Sequence, residues 1–169
     1  MVKTDKTKLI EQALWRFNNV QDVFGCFEVT IGWYGHEIVD FMTYKTNGEF
    51  RCYEIKVSKS DYKSKAKLSF VGDFNYYVMP VGLYEELKEA AEKEENKYIT
   101  KTKDVFNVRL KNRGIGLITV DENGHTITVI NAKRKPVNHG TRGTLLESMT
   151  RSLNREVTKF YKLKGYWEI

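Results

Sequence analysis

The sequence predicts an α/β domain of the α+β kind with a mixed sheet, and three observations carry that prediction. A helix-period apolar pattern over residues 5–19 precedes three strand-like runs within residues 24–57. The second and third runs are joined by Thr46-Asn47-Gly48, a hairpin signal because Asn and Gly tolerate the positive φ such turns need. Further on, strand-like and helix-like segments alternate to the end of the chain. At 169 residues the chain is long enough to bury a proper core as a single domain, 1–169.

Composition narrows the function classes. Hydrophobic residues make up 41% and charged residues 30%, which is neither a disordered nor a membrane composition. The sequence shows no apolar run of transmembrane length and no signal-peptide core near its lysine-rich start, so a cytoplasmic protein with no membrane partner is expected. Cys26 and Cys52 lie in strand-like segments without zinc-type spacing to the histidines, and read as reduced core residues. A formal charge of +6 favours an anionic partner, since clustered Lys and Arg release counterions from phosphates.

Taken in order, the first helix (5–19) places Leu9, Ile10, Ala13, Leu14 and Phe17 on one apolar face, with Trp15 at its edge and Thr4 or Asp5 as cap. Phe24 to Gly32 reads as the first strand, and Trp33-Tyr34-Gly35-His36 turns the chain into the second, Ile38 to Met42. After the Asn-Gly turn, Phe50 to Val57 forms the third. Ser58-Lys-Ser-Asp61 fits a capping box opening a short helix that runs to about Leu68. Asn75 to Met79 is a strand halted by Pro80, followed by a helix over 82–94 with Leu83, Leu87 and Ala90/Ala91 inward. Residues 95–112 read as an insertion or mobile loop, with a short strand at Val105 to Leu110. A second hairpin spans 114–130 around Asp121-Glu-Asn-Gly124. The last element is a helix, 143–163, whose stripe Leu146, Met149, Leu153, Val157 and Phe160 is expected to dock on the core. Arg151, Arg155 and Lys159 repeat every four residues beside it, as a solvated face or a track for phosphates.

The chemistry concentrates in the first hairpin. Residues two apart on a strand share a face, so Phe50, Cys52, Glu54 and Lys56 lie on one side of the third strand. Both faces carry apolar groups, so this strand is covered on both sides. A carboxylate there is costly unless it is paired or binds a cation. The hairpin brings Asp40 to the same neighbourhood.

Asp40, thirteen residues, then Glu54-Ile55-Lys56 resembles the core motif of the PD-(D/E)XK nuclease superfamily, with Val39 where a proline usually precedes the aspartate. The continuation Glu54-Ile-Lys-Val-Ser-Lys-Ser-Asp-Tyr, then Lys67, then Asp73-Phe-Asn-Tyr-Tyr-Val-Met-Pro80 is similar to the MmcB-like family of bacterial DNA-repair nucleases. The likeness covers residues 8–90 and, more loosely, 113–135. It implies a restriction-endonuclease-like αβββαβ core, here with an additional hairpin and a C-terminal helix. It implies catalytic roles for Asp40, Glu54 and Lys56, and for Glu11 as an acid reaching the site from the first helix. Mg²⁺ or Mn²⁺ is expected on Asp40, Glu54 and the carbonyl of Ile55, with DNA as partner. Lys59, Lys63, Lys67, Arg151 and Arg155 are the candidate phosphate contacts. The alternative is a catalytically silent nucleic-acid-binding protein of the same fold. A homodimer is compatible with either reading, because nucleases that cut both strands often pair two sites.

Overall fold

The computed structural model describes residues 3–33, 35, 37–64, 70–95, 104–163 and 165. It is a mixed α/β fold with a six-stranded mixed sheet and five helices, arranged α1(Asp5–Asn18), β1(Val23–Thr30), β2(Ile38–Lys45), β3(Phe50–Ile55), α2(Lys59–Tyr62), β4(Phe74–Pro80), α3(Val81–Glu95), α4(Val105–Asn112), β5(Gly116–Val120), β6(Thr126–Ile130) and α5(His139–Leu163). Strand order follows chain order. The pairs β1–β2, β2–β3 and β5–β6 are antiparallel, whereas β3–β4 and β4–β5 are parallel. Each parallel step needs a crossover, and α2 and α3–α4 lie in those crossovers. Among the described residues no helix is long and apolar enough to cross a membrane.

The β2–β3 turn forms as expected. Lys45 N–H donates to Glu49 O at 2.9 Å, and Gly48 takes φ 88°, closing a three-residue loop around the αL position that favours glycine. Helix α1 starts at Thr4, whose hydroxyl accepts from Thr7 N–H. Its Ile10, Ala13 and Leu14 pack on Phe41, Tyr53, Ile55 and Val78. Phe17, expected on that face, is 41% exposed, one residue before the helix ends, while Asn18 takes the sheet contact by accepting from the Tyr53 hydroxyl at 2.8 Å.

The other sheet face has two covers. Helix α5 packs over β1–β3 through Leu145 and Met149, and α3 with α4 packs over β4–β5 through Leu83, Leu87, Ala91, Phe106 and Leu110. Cys26 and Cys52 are free and buried, with burial pushing their thiols up to about 11 and about 12. Glycine is required at 116: a Cβ there would stand 2.3 Å from the Tyr76 ring and 2.8 Å from Ala132 N. Tyr76 is itself stacked on Tyr53 at 5.4 Å and cannot swing aside. Gly116→Ala is expected to cost about 1–3 kcal/mol by overpacking, read as a lower Tm in calorimetry; an unchanged Tm refutes that close approach.

Two expectations are corrected. The strand expected at Val105 to Leu110 is helix α4, and the part of the 95–112 region that is described, from 104 onward, is packed core: Val105, Phe106 and Leu110 are buried. Residues 96–103 lie outside the described residues.

The second correction concerns α5, which begins at His139 and is rotated from the expected face. Leu145, Ser148, Met149 and Ser152 dock, while Leu146, Leu153, Val157 and Phe160 are 37–55% exposed. The cause lies in β1, an edge strand with unpaired backbone groups. Ser148 and Ser152 hydroxyls accept from the N–H groups of Gly32 (3.0 Å) and Thr30 (3.4 Å). Hydroxyls satisfy such donors where leucines cannot.

Candidate active site

The β2–β3 ladder pairs Tyr44 with Phe50 through Phe41 with Tyr53 and then stops. The next N–H directed at β2, that of Ile55, donates instead to the Asp40 carboxylate (Oδ2, 2.8 Å). A side chain thus replaces a ladder bond where the strands part. In an extended strand a residue's N–H and C=O face the same neighbour, so the Ile55 carbonyl faces this gap too. Glu54 and Lys56, flanking Ile55, are 4% and 6% exposed, which is exceptional for ionisable groups.

Helix α2 supplies the next charge. Lys56 Nζ lies 3.5 Å from Asp61 Oδ1, while Asp61 Oδ2 accepts from Val57 N–H at 3.0 Å. The Ser58 hydroxyl caps the helix by accepting from Asp61 N–H at 3.2 Å. The capping box predicted around Ser58 therefore forms with one change: Asp61 reaches back to Val57, one residue further, which aims its second oxygen at Lys56. Burial raises the Asp40 carboxyl above its ordinary value; the Ile55 N–H and Lys56 oppose this, and the negative charges of Asp61 and Glu11 add to it. Glu11, on α1, is thus close enough to be felt at Asp40. Its own contact is an ion pair with Lys3 (2.7 Å), which also reaches Glu28 (2.8 Å). Burial lowers the Lys3 ammonium, but those two carboxylates hold it above its ordinary value.

The structure brings together Asp40, Ile55 and Lys56, sets Glu54 on the other side of Ile55 from Lys56, and places Glu11 within electrostatic reach. Asp61 joins them as a residue the sequence marked only as a cap; the Ser-x-x-Asp signal located it but not its tie to Lys56. Lys59 and Lys63 are exposed at the two ends of α2, and neither forms an ion pair among the described residues. Lys67, Tyr34 and His36 lie outside the described residues. Trp33 is 72% exposed.

Arg151 and Arg155 each engage a backbone carbonyl. Arg151 donates to Gly32 O at 2.8 Å and stacks on Trp33 at 4.5 Å; Arg155 donates to Glu28 O at 2.9 Å. Both tie α5 to β1 and the residues just after it, because the rotation of α5 turns them toward those carbonyls, while Arg155 keeps part of its side chain in solvent. Among the described residues no group of three or more His, Cys, Asp or Glu side chains is placed to hold a metal.

The fold is shared with a solved structure, that of a protein of unknown function from Silicibacter pomeroyi. The TM-score is 0.69, at 14% identity, over 97% of each chain. That likeness defines a class by fold alone. No protein-family model matches the chain, and no curated protein matches it.

Proposed function

We propose that the chain is a metal-dependent nuclease that hydrolyses phosphodiester bonds of DNA, in line with the resemblance to the PD-(D/E)XK superfamily and its MmcB-like members. One observation carries the reading: at the point where β2 and β3 part, Asp40 occupies the gap at Ile55 while Glu54 and Lys56 are buried on either side of it. Desolvating two carboxylates and an ammonium costs stability, and ionisable groups gathered in this way mark functional sites.

Two carboxylates and a carbonyl are hard oxygen donors that suit Mg²⁺ or Mn²⁺, which keep several waters and need no third acid. Asp40, Glu54 and the Ile55 carbonyl are the residues that would hold it, and the raised Asp40 carboxyl is what a cation would reverse. A bound cation would polarise the scissile phosphate and promote hydroxide formation. Lys56, anchored by Asp61, presents positive charge to the phosphate and orients the attacking water. Glu11, held by Lys3, borders the site from α1.

The test is cleavage of a labelled panel of duplex, branched and single-stranded DNA with Mg²⁺, with Mn²⁺ and with EDTA. Metal-dependent cutting that falls at least about 100-fold in Glu54→Gln and Lys56→Ala, both still folded, is the expected result. Cutting at the wild-type rate by either variant overturns the assignment. DNA binding that survives EDTA with no cutting by the wild type supports the non-catalytic binding protein instead.

A further inference from the structure

Three concave surfaces of this protein share lining residues and so join into one groove. The first lies between α2, α3 and α4 (about 480 Å³), the second between the end of α4 and the segment after β6 (about 520 Å³). The third lies between the β2–β3 turn and the start of α5 (about 440 Å³). Arg113 lines the first and second, and Arg134 the second and third.

Local structure explains the clustering. Gly114, at φ 70°, turns the chain sharply out of α4, and Lys133 N–H donates to its carbonyl at 3.0 Å. Arg113 is thereby set beside the extended run Lys133-Arg134-Lys135.

The charge of this groove is one-sided. Its middle section is lined by Arg113, Lys133, Arg134 and Lys135 with no carboxylate among the described residues. The acids at its two ends are already paired, Glu94 with Arg109 (3.5 Å) and Glu49 with Arg51 (2.6 Å). Lys133, Arg134 and Lys135 are exposed, and among the described residues only Arg134 has a carboxylate nearby, Asp73 at 3.9 Å. The walls also carry two half-buried aromatic rings, Phe70 in the middle section and Phe74 in the third. At the α4 end Arg113 hydrogen-bonds Tyr77, the β4 residue paired with Glu54 of β3, and the first section is also lined by Tyr62 and Lys63 of α2.

We infer that this groove binds a single strand of DNA, its phosphates on Arg113, Lys133 and Lys135 and unstacked bases against Phe70 and Phe74. Concave basic channels with aromatic walls suit one strand, since every base offers a face to stack and a duplex offers none at its side. The inference rests on the nucleic-acid reading of the neighbouring site and names its substrate class.

The test is fluorescence anisotropy of a labelled 15-nucleotide strand and of the matching duplex, in EDTA, across a salt series. Wild type, Lys133→Ala/Lys135→Ala and a control, Lys93→Ala/Lys162→Ala at exposed positions of α3 and α5 outside the groove, are compared. For single strands each phosphate contact contributes about 0.7 to the slope of log K against log salt. The groove variant is therefore expected to flatten the slope by about 1.4 and to weaken binding about 25-fold at 0.1 M salt. The control is expected to match the wild type. Equal affinity and slope in the groove variant overturns the proposal, as does a tenfold preference of the wild type for duplex. Cleavage separates this from the catalytic reading: a wild type that cuts while the groove variant binds normally refutes the groove alone. Groove-dependent binding without any cutting refutes the catalysis alone.

Discussion

Asp40→Asn is expected to melt higher than the wild type near neutral pH without metal, while cleaving DNA about 1,000-fold more slowly. The two effects share one cause. The Asp40 carboxylate is half-buried, and its desolvation outweighs the Ile55 N–H and Lys56 that favour its charge, so its folded-state pKa is raised above 3.8. A raised carboxyl gives a folding contribution that is fully present below the unfolded value and is lost as pH rises through the folded value. Above that window the wild type carries the full cost of a buried charge, and asparagine removes it while leaving an oxygen for Ile55. The two melting temperatures should therefore converge as pH falls toward 3.8 and separate again above the raised value. Mg²⁺ should raise the wild-type Tm and leave the variant's unchanged, because only a ligand bound to the native state stabilises it. The loss of activity corresponds to roughly 4 kcal/mol of transition-state stabilisation, the scale of a lost metal site. Calorimetry between pH 4 and 8 with and without Mg²⁺ reads the first effect. A variant melting below the wild type at pH 7 refutes the buried-charge account.

Asp73→Ala is expected to be the most damaging single change to stability, at about 3–5 kcal/mol, because it leaves Arg142 with no carboxylate. The Asp73 side chain is wholly buried and accepts from Arg142 at 2.7 and 3.1 Å, from Phe50 N–H at 3.0 Å and from Val137 N–H at 3.3 Å. Arg142 in turn donates to the Gly48 carbonyl in the β2–β3 turn. One carboxylate thus joins β3, the segment after β6 and the start of α5. Burial pushes its pKa up, but the Phe50 N–H, Arg142 and the Val137 N–H more than offset this and hold it below its ordinary value. The sign is opposite to that of Asp40: this stability is present above pH 3.8 and is lost as pH falls through the lowered value. For a chain of this size the expected fall in Tm is on the order of 10 °C. Hydrogen exchange should show the β2–β3 turn and the first turns of α5 loosening together. Loss of protection in only one of them refutes the shared anchor.

Much of the fold was legible in the sequence because the signals were local. Asn47-Gly48 fixed the hairpin, Thr4 and Ser58 opened their helices, and Leu83, Leu87 and Ala91 marked the inward face of α3. The segment VFNVRLKN misled, since Val and Phe at 105, 106 and 108 favour a strand by propensity. Packing of Val105, Phe106 and Leu110 against α3 selects the helix. The face of α5 was illegible for a different reason. Apolar periodicity ranks residues by hydrophobicity, but the neighbouring strand offers hydrogen-bonding groups, so serines and arginines outcompete leucines for the contact. At the candidate site, Asp40, Glu54 and Lys56 stood out as charged groups inside apolar strand-like runs, whereas the tie from Asp61 to Lys56 depends on how tightly the chain turns after β3.

The contacts between α5 and β1 also bear on how this protein avoids sticking to itself. An edge strand is a template for a strand from another chain, which would grow the sheet from molecule to molecule. Here Ser152 accepts the Thr30 N–H and Arg155 takes the Glu28 carbonyl on β1, while Ser148 and Arg151 hold the N–H and carbonyl of Gly32 just past its end, so backbone groups that an incoming strand would meet are already engaged. A helix with two serines and two arginines in register works as a stopper for polymerisation at that border. Replacing them with better helix-packing residues would strip it of that protection.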